Sequence, residues 1–217
     1  MFTPAVMDVA LTAFVTMFVI IDPLGLLPIF IGLTQGAPIS HKRKMALKGV
    51  LIGGATLLFF AFFGDRFLSL LGVNIASFRI AGGAMLFLTA LEMVFEKRTQ
   101  RRESQAEKMK DEISHDGGFD DISVFPISIP LISGPGAIAS IMLLMSSNRD
   151  NPVHMATVLV VLGAVLLIVY VLFLLAPKLE KLVGPTFTQI VTRVLGVILG
   201  ALAVQYIIDG IKLSFLS

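Results

Sequence analysis

Apolar runs of about 20 residues constrain the fold of this chain more than any other feature of its sequence. Six such segments lie at about 8–34, 46–64, 76–95, 123–146, 153–176 and 189–212. Each is long enough to cross a hydrocarbon core of about 30 Å as a helix, which satisfies its own backbone groups in lipid. Because 56% of the 217 residues are hydrophobic and only 15% are charged, the sequence predicts an all-α integral membrane protein.

Several classes of function are excluded or disfavoured by residue usage. The chain has no cysteine, so disulfides, thiolate catalysis and cysteine zinc sites are excluded, and a net charge of +2 leaves no footprint for nucleic acid. The three histidines lie at or beyond segment ends without ligand spacing, and we expect no metal and no cofactor. Asp22 and Glu92 are the only acids that qualify as catalytic groups, so we expect no enzyme activity.

Two short motifs recur in the same order in the two halves of the chain. They are Pro-Leu followed by a second proline at 23–28 and 130–135, and Arg followed three residues later by Gly at 79–82 and 193–196. This self-similarity predicts two halves of three helices, repeat A at about 8–95 and repeat B at about 123–212. An odd number of spans reverses the second half, so we expect one membrane domain, 1–217, built as a 3+3 inverted repeat.

Lys and Arg residues are unevenly divided between the two ends of the six segments. Thirteen of the 17 lie on one side, which includes the polar stretch 96–122. The positive-inside rule places that stretch in the cytoplasm and both termini in the periplasm of a bacterial inner membrane. If segments one and four turn back instead of spanning, 12 Lys and Arg residues lie on one side and 5 on the other. The charge distribution therefore does not distinguish the two topologies.

The ends of the chain and the polar stretch carry two further expectations. No Lys or Arg precedes the first apolar run, so that segment is expected to be retained rather than cleaved as a signal peptide. The stretch 96–121 mixes both charge signs and ends in two glycines, which is typical of a solvated, partly disordered loop.

The first and fourth segments contain residues that interrupt helices. Proline removes a backbone donor and biases the preceding residue out of the helix, and glycine tolerates other dihedrals. The first segment is therefore predicted to unwind between about Asp22 and Pro28, and the fourth around Pro130 to Gly136. Unwound backbone at membrane depth needs protein or water, so both breaks should face a cavity. The predicted substrate-binding residues are Asp22, Pro23, Gly25, Pro28, Pro130, Ser133, Gly134, Pro135 and Gly136.

Paired broken helices in two halves of a membrane protein point to a transporter site. Half-helix N-termini attract a carboxylate, and C-terminal carbonyls attract an ammonium group or a cation, so a small zwitterion would satisfy both. Asp22 would bind a proton, a cation or the substrate ammonium. Alternatively, it caps the second half-helix with Pro23 at the first helical position.

Four polar residues in the apolar segments have weaker expectations. Arg79 and Arg193 are expected to reach the membrane interface or to pair with an internal carboxylate, with a supporting role at the site. Gln205 is expected to form a helix–helix hydrogen bond, and Glu92 to lie at a wetted helix end.

The motifs IDPLGLLPIF, FRIAGG and PLISGPGAI resemble those of the MarC family of bacterial inner-membrane proteins over essentially the whole chain. That family is similar in topology to the LysE-like exporters, and some members are described as neutral amino acid transporters. Many members carry Asn at the position of Asp22. The resemblance implies a secondary transporter of small neutral amino acids or similar metabolites by alternating access. A channel or a non-transporting membrane protein is the alternative, and proton or sodium coupling and homo-oligomer formation stay open.

Overall fold

A computed structural model describes residues 4–98, 101, 102, 104, 131–179 and 185–216. The regular elements within these residues are helices: α1 (Pro4–Ile21), α2 (Pro23–Leu33), α3 (Ile39–Leu70), α4 (Ile75–Val94), α5 (Pro135–Ser147), α6 (Pro152–Leu179) and α7 (Pro185–Leu216). Helical backbone is also found at 97, 98, 101, 102 and 104.

Five stretches of the described chain are long and apolar enough to cross a membrane. They are Ala5–Leu33, Ile39–Leu70, Ile75–Val94, Pro152–Ala176 and Thr188–Phe215, and α5 is apolar but shorter. The prediction of a helical membrane protein is therefore confirmed. The first part of the predicted fourth segment, 123–130, lies outside the described residues.

Helices α1, α2 and α5 form the centre of the molecule. The most apolar part of Ala5–Leu33 is 67% buried, against 22–39% for the other four candidate spans. The outer helices α3, α4, α6 and α7 instead expose apolar side chains such as Phe62 on α3 and Val197 on α7. This arrangement suits a bilayer, because lipid covers the outer apolar faces while protein surrounds the central helices.

Helices α4 and α7 pack along most of their length in opposite directions. A Cβ on Gly83 of α4 would lie 2.8 Å from the Ala203 carbonyl oxygen, and one on Gly210 would lie 2.9 Å from the Ala76 carbonyl oxygen. Position 83 thus faces 203 and position 76 faces 210. Glycine at these points lets two backbones approach more closely than any side chain would permit.

The boundary between α1 and α2 is shorter than predicted. Only Asp22 leaves the helical region, at φ 57° and ψ 66°, and α2 begins at Pro23 and contains Pro28. Helical hydrogen bonds continue on both sides, from Asp22 N to Phe18 O at 2.9 Å and from Leu26 N to Asp22 O at 3.0 Å. The predicted unwinding from Asp22 to Pro28 is wrong because one left-handed residue is sufficient to end one helix and cap the next.

The second interruption lies at a different point of its motif. Leu131 and Ile132 form a wide helical turn, Ser133 and Gly134 are not helical, and α5 begins at Pro135. Thus α5 starts at the second proline of the shared motif, whereas α2 starts at the first. Pro130 lies outside the described residues.

Candidate functional site

Asp22 is a buried carboxylate that caps α2. It is 2% exposed, and its Oδ1 accepts a hydrogen bond of 3.1 Å from the Gly25 backbone N–H, with Pro23 at the first helical position. An aspartate is among the preferred residues for this role, since it satisfies a donor that has no partner within the helix. The capping alternative considered for Asp22 is confirmed.

Two arginines from the stretch after α4 reach the interruption. Arg98 and Arg102 are 4% and 8% exposed, so the expectation of a solvated stretch is wrong at these positions. Arg98 donates to the carbonyl oxygen of Ile20, in the last turn of α1. A cation is favourable there because the C-terminal end of a helix carries partial negative charge. The end that was expected to receive a substrate ammonium is thus neutralised by the protein itself.

Arg102 connects the two interruptions of the chain. Its Nη1 lies 3.8 Å from Asp22 Oδ2, and its Nη2 donates to the Leu131 carbonyl oxygen at 3.3 Å. Burial lowers the pKa of Arg98 to about 9, and burial also lowers that of Arg102, while the Asp22 charge raises both. A pKa of about 9 still leaves Arg98 protonated at neutral pH.

A cavity of about 430 Å³ opens beside these arginines. Its walls come from α4, from the turn before α5 and from the first residues of α5, together with three arginines and the end of α1. The lining residues are Ile20, Met85, Leu88, Thr89, Glu92, Arg98, Arg101, Arg102, Ile132, Gly134, Pro135, Gly136 and Ala137. Its volume is within the range of about 300–1,000 Å³ that is usual for ligand sites.

The cavity combines excess positive charge with one carboxylate. Arg101 Nη1 pairs with Glu92 Oε1 at 2.6 Å, so Glu92 is a member of this site rather than only a wetted helix end. Among the described residues, Glu92 Oε2 and Arg102 Nη1 are buried without a hydrogen-bond partner. The residues that line the cavity therefore include one acceptor and one donor that make no hydrogen bond among the described residues.

The start of α5 adds backbone donors to the same wall. Its first intrahelical hydrogen bond runs from Ile138 N to Gly134 O at 3.0 Å. The N–H groups of Gly136 and Ala137 precede that bond and have no acceptor within the helix, and Pro135 has no N–H at all. An anionic group in the cavity would be stabilised by these donors and by the partial positive charge of the helix end.

The structure brings only part of the predicted site together. Gly134, Pro135 and Gly136 line the cavity, and Asp22 contacts it through Arg102. Pro28 instead points outward from α2 and is exposed. Pro23, Gly25 and Ser133 are buried and are not part of the lining, and Pro130 is outside the described residues.

The three supporting residues lie away from the cavity. Arg193 pairs with Glu96 at 2.5 Å, and Arg79 is half-buried near the start of α4, whereas Glu92 is near the end of that helix. Gln205 is exposed and donates to Asp209 of its own helix at 3.0 Å, so the predicted helix–helix hydrogen bond is wrong. A residue four positions along the same helix is a nearer partner than another helix.

Sequence reasoning missed the three arginines because they belong to a charged stretch. Arg98 and Arg102 are four residues apart and share one helix face, and Arg101 is adjacent. The stretch that contains them, KRTQRRESQAEKMK at 97–110, consists mostly of good helix formers. A helix propensity argument would therefore have predicted a helix here with two arginines aligned on one side.

These features define a multi-pass helical membrane protein with a charged cavity next to helix interruptions. The chain belongs to the MarC family, since a family model described as MarC family integral membrane protein matches residues 7–215. Family membership, which was inferred from three motifs, is thereby confirmed.

Similar proteins described as UPF0056 membrane proteins are found in several organisms. The chain is 36% identical to UPF0056 membrane protein MJ1677 of Methanocaldococcus jannaschii, over 92% of this chain and 94% of the relative. It is 32% identical to YvbG of Bacillus subtilis, over 93% of both chains. It is 30% identical to YhcE of Escherichia coli, over 92% of this chain and 90% of that protein. No solved structure matches the chain.

Proposed function

We propose that this protein is a secondary transporter of small neutral amino acids or similar zwitterionic metabolites. The observation that carries the proposal is the cavity at the start of α5, whose lining includes Glu92 and Arg102. Among the described residues, one carboxylate oxygen of Glu92 and the guanidinium nitrogen of Arg102 that faces Asp22 make no hydrogen bond. A site of this kind is suited to binding and release. We infer transport rather than catalysis, because no reacting group is needed to account for these residues.

The charges of the cavity favour a ligand that carries a carboxylate and an ammonium group. The carboxylate would lie against Arg102 and the N–H groups of Gly136 and Ala137, where donors and the helix dipole converge. The ammonium would pair with Glu92 Oε2. This differs from the sequence-based expectation that Asp22 binds a proton, a cation or the substrate ammonium, because Asp22 is already engaged by Gly25 and Arg102.

An inverted repeat with two broken helices is part of the same proposal. If α1 and α2 correspond to α5, α3 to α6 and α4 to α7, the packing is symmetric under exchange. The contact of α1 with α6 mirrors that of α5 with α3, and the contact of α4 with α5 mirrors that of α7 with α1. The antiparallel pair of α4 and α7 is the relation that inversion requires of equivalent helices. Such symmetry supports alternating access around a site between the halves.

The location is proposed to be the bacterial inner membrane, with both termini in the periplasm. Arg98 and Arg102 are buried and cease to count as loop charges, which leaves 11 of 15 Lys and Arg residues on the side proposed to be cytoplasmic. The positive-inside rule therefore gives the same orientation as before. The cavity would then face the cytoplasm, since it lies next to the stretch that follows α4.

Gly134→Leu is expected to abolish transport without preventing folding. Gly134 has φ −65° and ψ 166°, which any L-residue adopts, so the change is sterically allowed in the backbone, whereas its side chain would occupy the cavity. The measurement is counterflow of labelled glycine, alanine and serine in proteoliposomes, with folding followed by size-exclusion chromatography. Gly163→Leu on α6, where a Cβ meets no heavy atom within 4 Å, is the control.

The same assay tests the proposed class of function. Saturable counterflow in wild type and in the control, lost in Gly134→Leu, is the expected result. Ion currents without counterflow would indicate a channel. No counterflow of any of the three amino acids by folded wild-type protein would reject the amino-acid proposal.

Glu92→Gln is expected to weaken recognition of the ammonium group. Hydrogen bonds to charged groups contribute about 1.5–3 kcal/mol, so the half-saturation concentration for alanine should rise by roughly 10- to 100-fold. Competition by propionate, which has the carboxylate but no ammonium, should be unchanged. The measurement is inhibition of labelled alanine counterflow, with Asp150→Gln, on the exposed turn after α5, as the matched acid control. An equal loss of both ligands would contradict the assigned role.

A further inference from the structure

Two helical hydroxyl groups at the centre of the molecule lack the usual helical hydrogen bond. The hydroxyls of Thr56, Thr89 and Thr157 each donate to the carbonyl four residues earlier, at 2.8–2.9 Å. Thr16 and Ser140 are both 0% exposed, and among the described residues neither hydroxyl makes such a bond. A buried hydroxyl that does not use its helical acceptor is costly unless another partner replaces that bond, so these positions call for an explanation.

Both residues continue the cavity wall by one helical turn. A Cβ on Gly136 would lie 2.9 Å from Ile20 Cδ1 and 3.7 Å from Thr89 Oγ1, so α1, α4 and α5 meet at this level. Thr16 precedes Ile20 by four residues and Ser140 follows Gly136 by four. Side chains four apart on a helix share one face, so both hydroxyls lie beyond the cavity floor on the same inner faces.

The next polar groups along this line come from α7 and α4. The Tyr206 hydroxyl is adjacent to the Thr16 side chain, and the charges of Arg79 and Asp209 act on it. The Nε of Arg79 is buried without a partner among the residues that the structure describes. On α4, Arg79 lies 13 residues before Glu92, which corresponds to about 20 Å along the helix axis.

Apolar packing closes this line in the present conformation. Leu86 of α4 and Leu143 of α5 are both fully buried. A Cβ on Gly82 would lie 3.0 Å from Leu143 Cδ1, so α4 and α5 are in close contact here. Gly82 and Leu86 lie between Arg79 and Glu92 along α4, so packed apolar side chains separate these two residues.

We propose that Thr16, Ser140 and Tyr206 line the second half of the translocation path, and that Arg79 binds the substrate carboxylate at its far mouth. This inference rests on the proposed transport function. In the alternate conformation α4 and α5 separate at Gly82 and Leu143. The substrate then exchanges the donors of the cavity for these hydroxyls, and the lack of a helical hydrogen bond at Thr16 and Ser140 follows from that use.

Thiol accessibility tests the path without knowledge of the substrate. The chain has no cysteine, so single-cysteine variants Thr16→Cys and Ser140→Cys carry one reactive group each. The control is Ala61→Cys on α3, a position that is 8% exposed and lies off the path. A membrane-impermeant thiol reagent is applied to each side of oriented vesicles. If the open state is populated at about 1–10%, both path cysteines should react at least tenfold faster than the control from the Arg79 side.

A second variant measures the contribution of the hydroxyls to transport. The double change Thr16→Val with Ser140→Ala should lower alanine counterflow by roughly 10-fold, while Thr56→Val, whose hydroxyl is bonded within its own helix, should leave it unchanged. Equal labelling of path and control cysteines from both sides overturns the inference, as does full counterflow in the double variant. Labelling above the control in a protein that carries no amino acid would overturn the proposed substrate but keep the path.

Discussion

Gly25→Ala is expected to destabilise the protein by about 2–4 kcal/mol, from the loss of the cap and from overpacking. A Cβ on Gly25 would lie 2.2 Å from Asp22 Oδ2 and 2.7 Å from its Cγ. The carboxylate cannot move away easily, because it accepts from the Gly25 N–H and is paired with Arg102. Thermal unfolding in detergent micelles measures the change, and counterflow should be lost with it.

Gly32→Ala is the matched control on the same helix. A Cβ at that position has no heavy atom within 4 Å, so the change should be neutral or stabilise by up to about 1 kcal/mol, since alanine is the better helix former. Equal unfolding temperatures for the two variants would show that the carboxylate of Asp22 adapts freely. That result would contradict the assignment of Gly25 as the residue that makes room for the cap.

Arg102→Met is expected to destabilise the protein by about 3 kcal/mol. Removal of one partner of a buried ion pair generally costs about 3–5 kcal/mol, because the other charge is left buried and alone. The separation of 3.8 Å between Arg102 Nη1 and Asp22 Oδ2 places this pair at the lower end. The bond to the Leu131 carbonyl is lost as well. Arg66→Met, at an exposed position on α3, should change stability by less than about 0.5 kcal/mol.

Asp22→Asn should rescue part of that loss when the two changes are combined. Asparagine keeps an oxygen that accepts from Gly25 N–H, and it adopts a left-handed conformation readily. Because it is uncharged, removal of Arg102 leaves no buried charge without a partner. The coupling energy from a double-mutant cycle is expected to exceed about 1 kcal/mol. Additive effects would mean that Arg102 acts through Leu131 alone and that its pairing with Asp22 contributes nothing.

The two proline motifs show which features of the helix interruptions could be predicted from the sequence. Both were predicted to interrupt helices, and α2 begins at Pro23 and α5 at Pro135. The extent of the first interruption was overestimated, since Pro28 lies within α2. Local rules describe what a proline disfavours, but the neighbouring helices decide whether the missing hydrogen bond is tolerated. The same rules predicted that Gly25 allows non-helical dihedrals. In the structure its backbone is helical, and the absence of a side chain leaves room for the Asp22 carboxylate.

The membrane class and an interruption near Asp22, with a cap as one of two roles for that residue, were predicted by sequence alone, because both depend on residues that are neighbours in the chain. Run length decides whether a helix crosses lipid, and Asp followed by Pro is a local signal for a helix start. The partners of the interruption were decided only by the tertiary structure. Arg98 lies 78 residues from Ile20 in sequence, and Arg102 lies 29 residues from Leu131. Charges in a polar stretch acquire a role only when packing buries them against a carbonyl and a carboxylate that no local pattern places beside them.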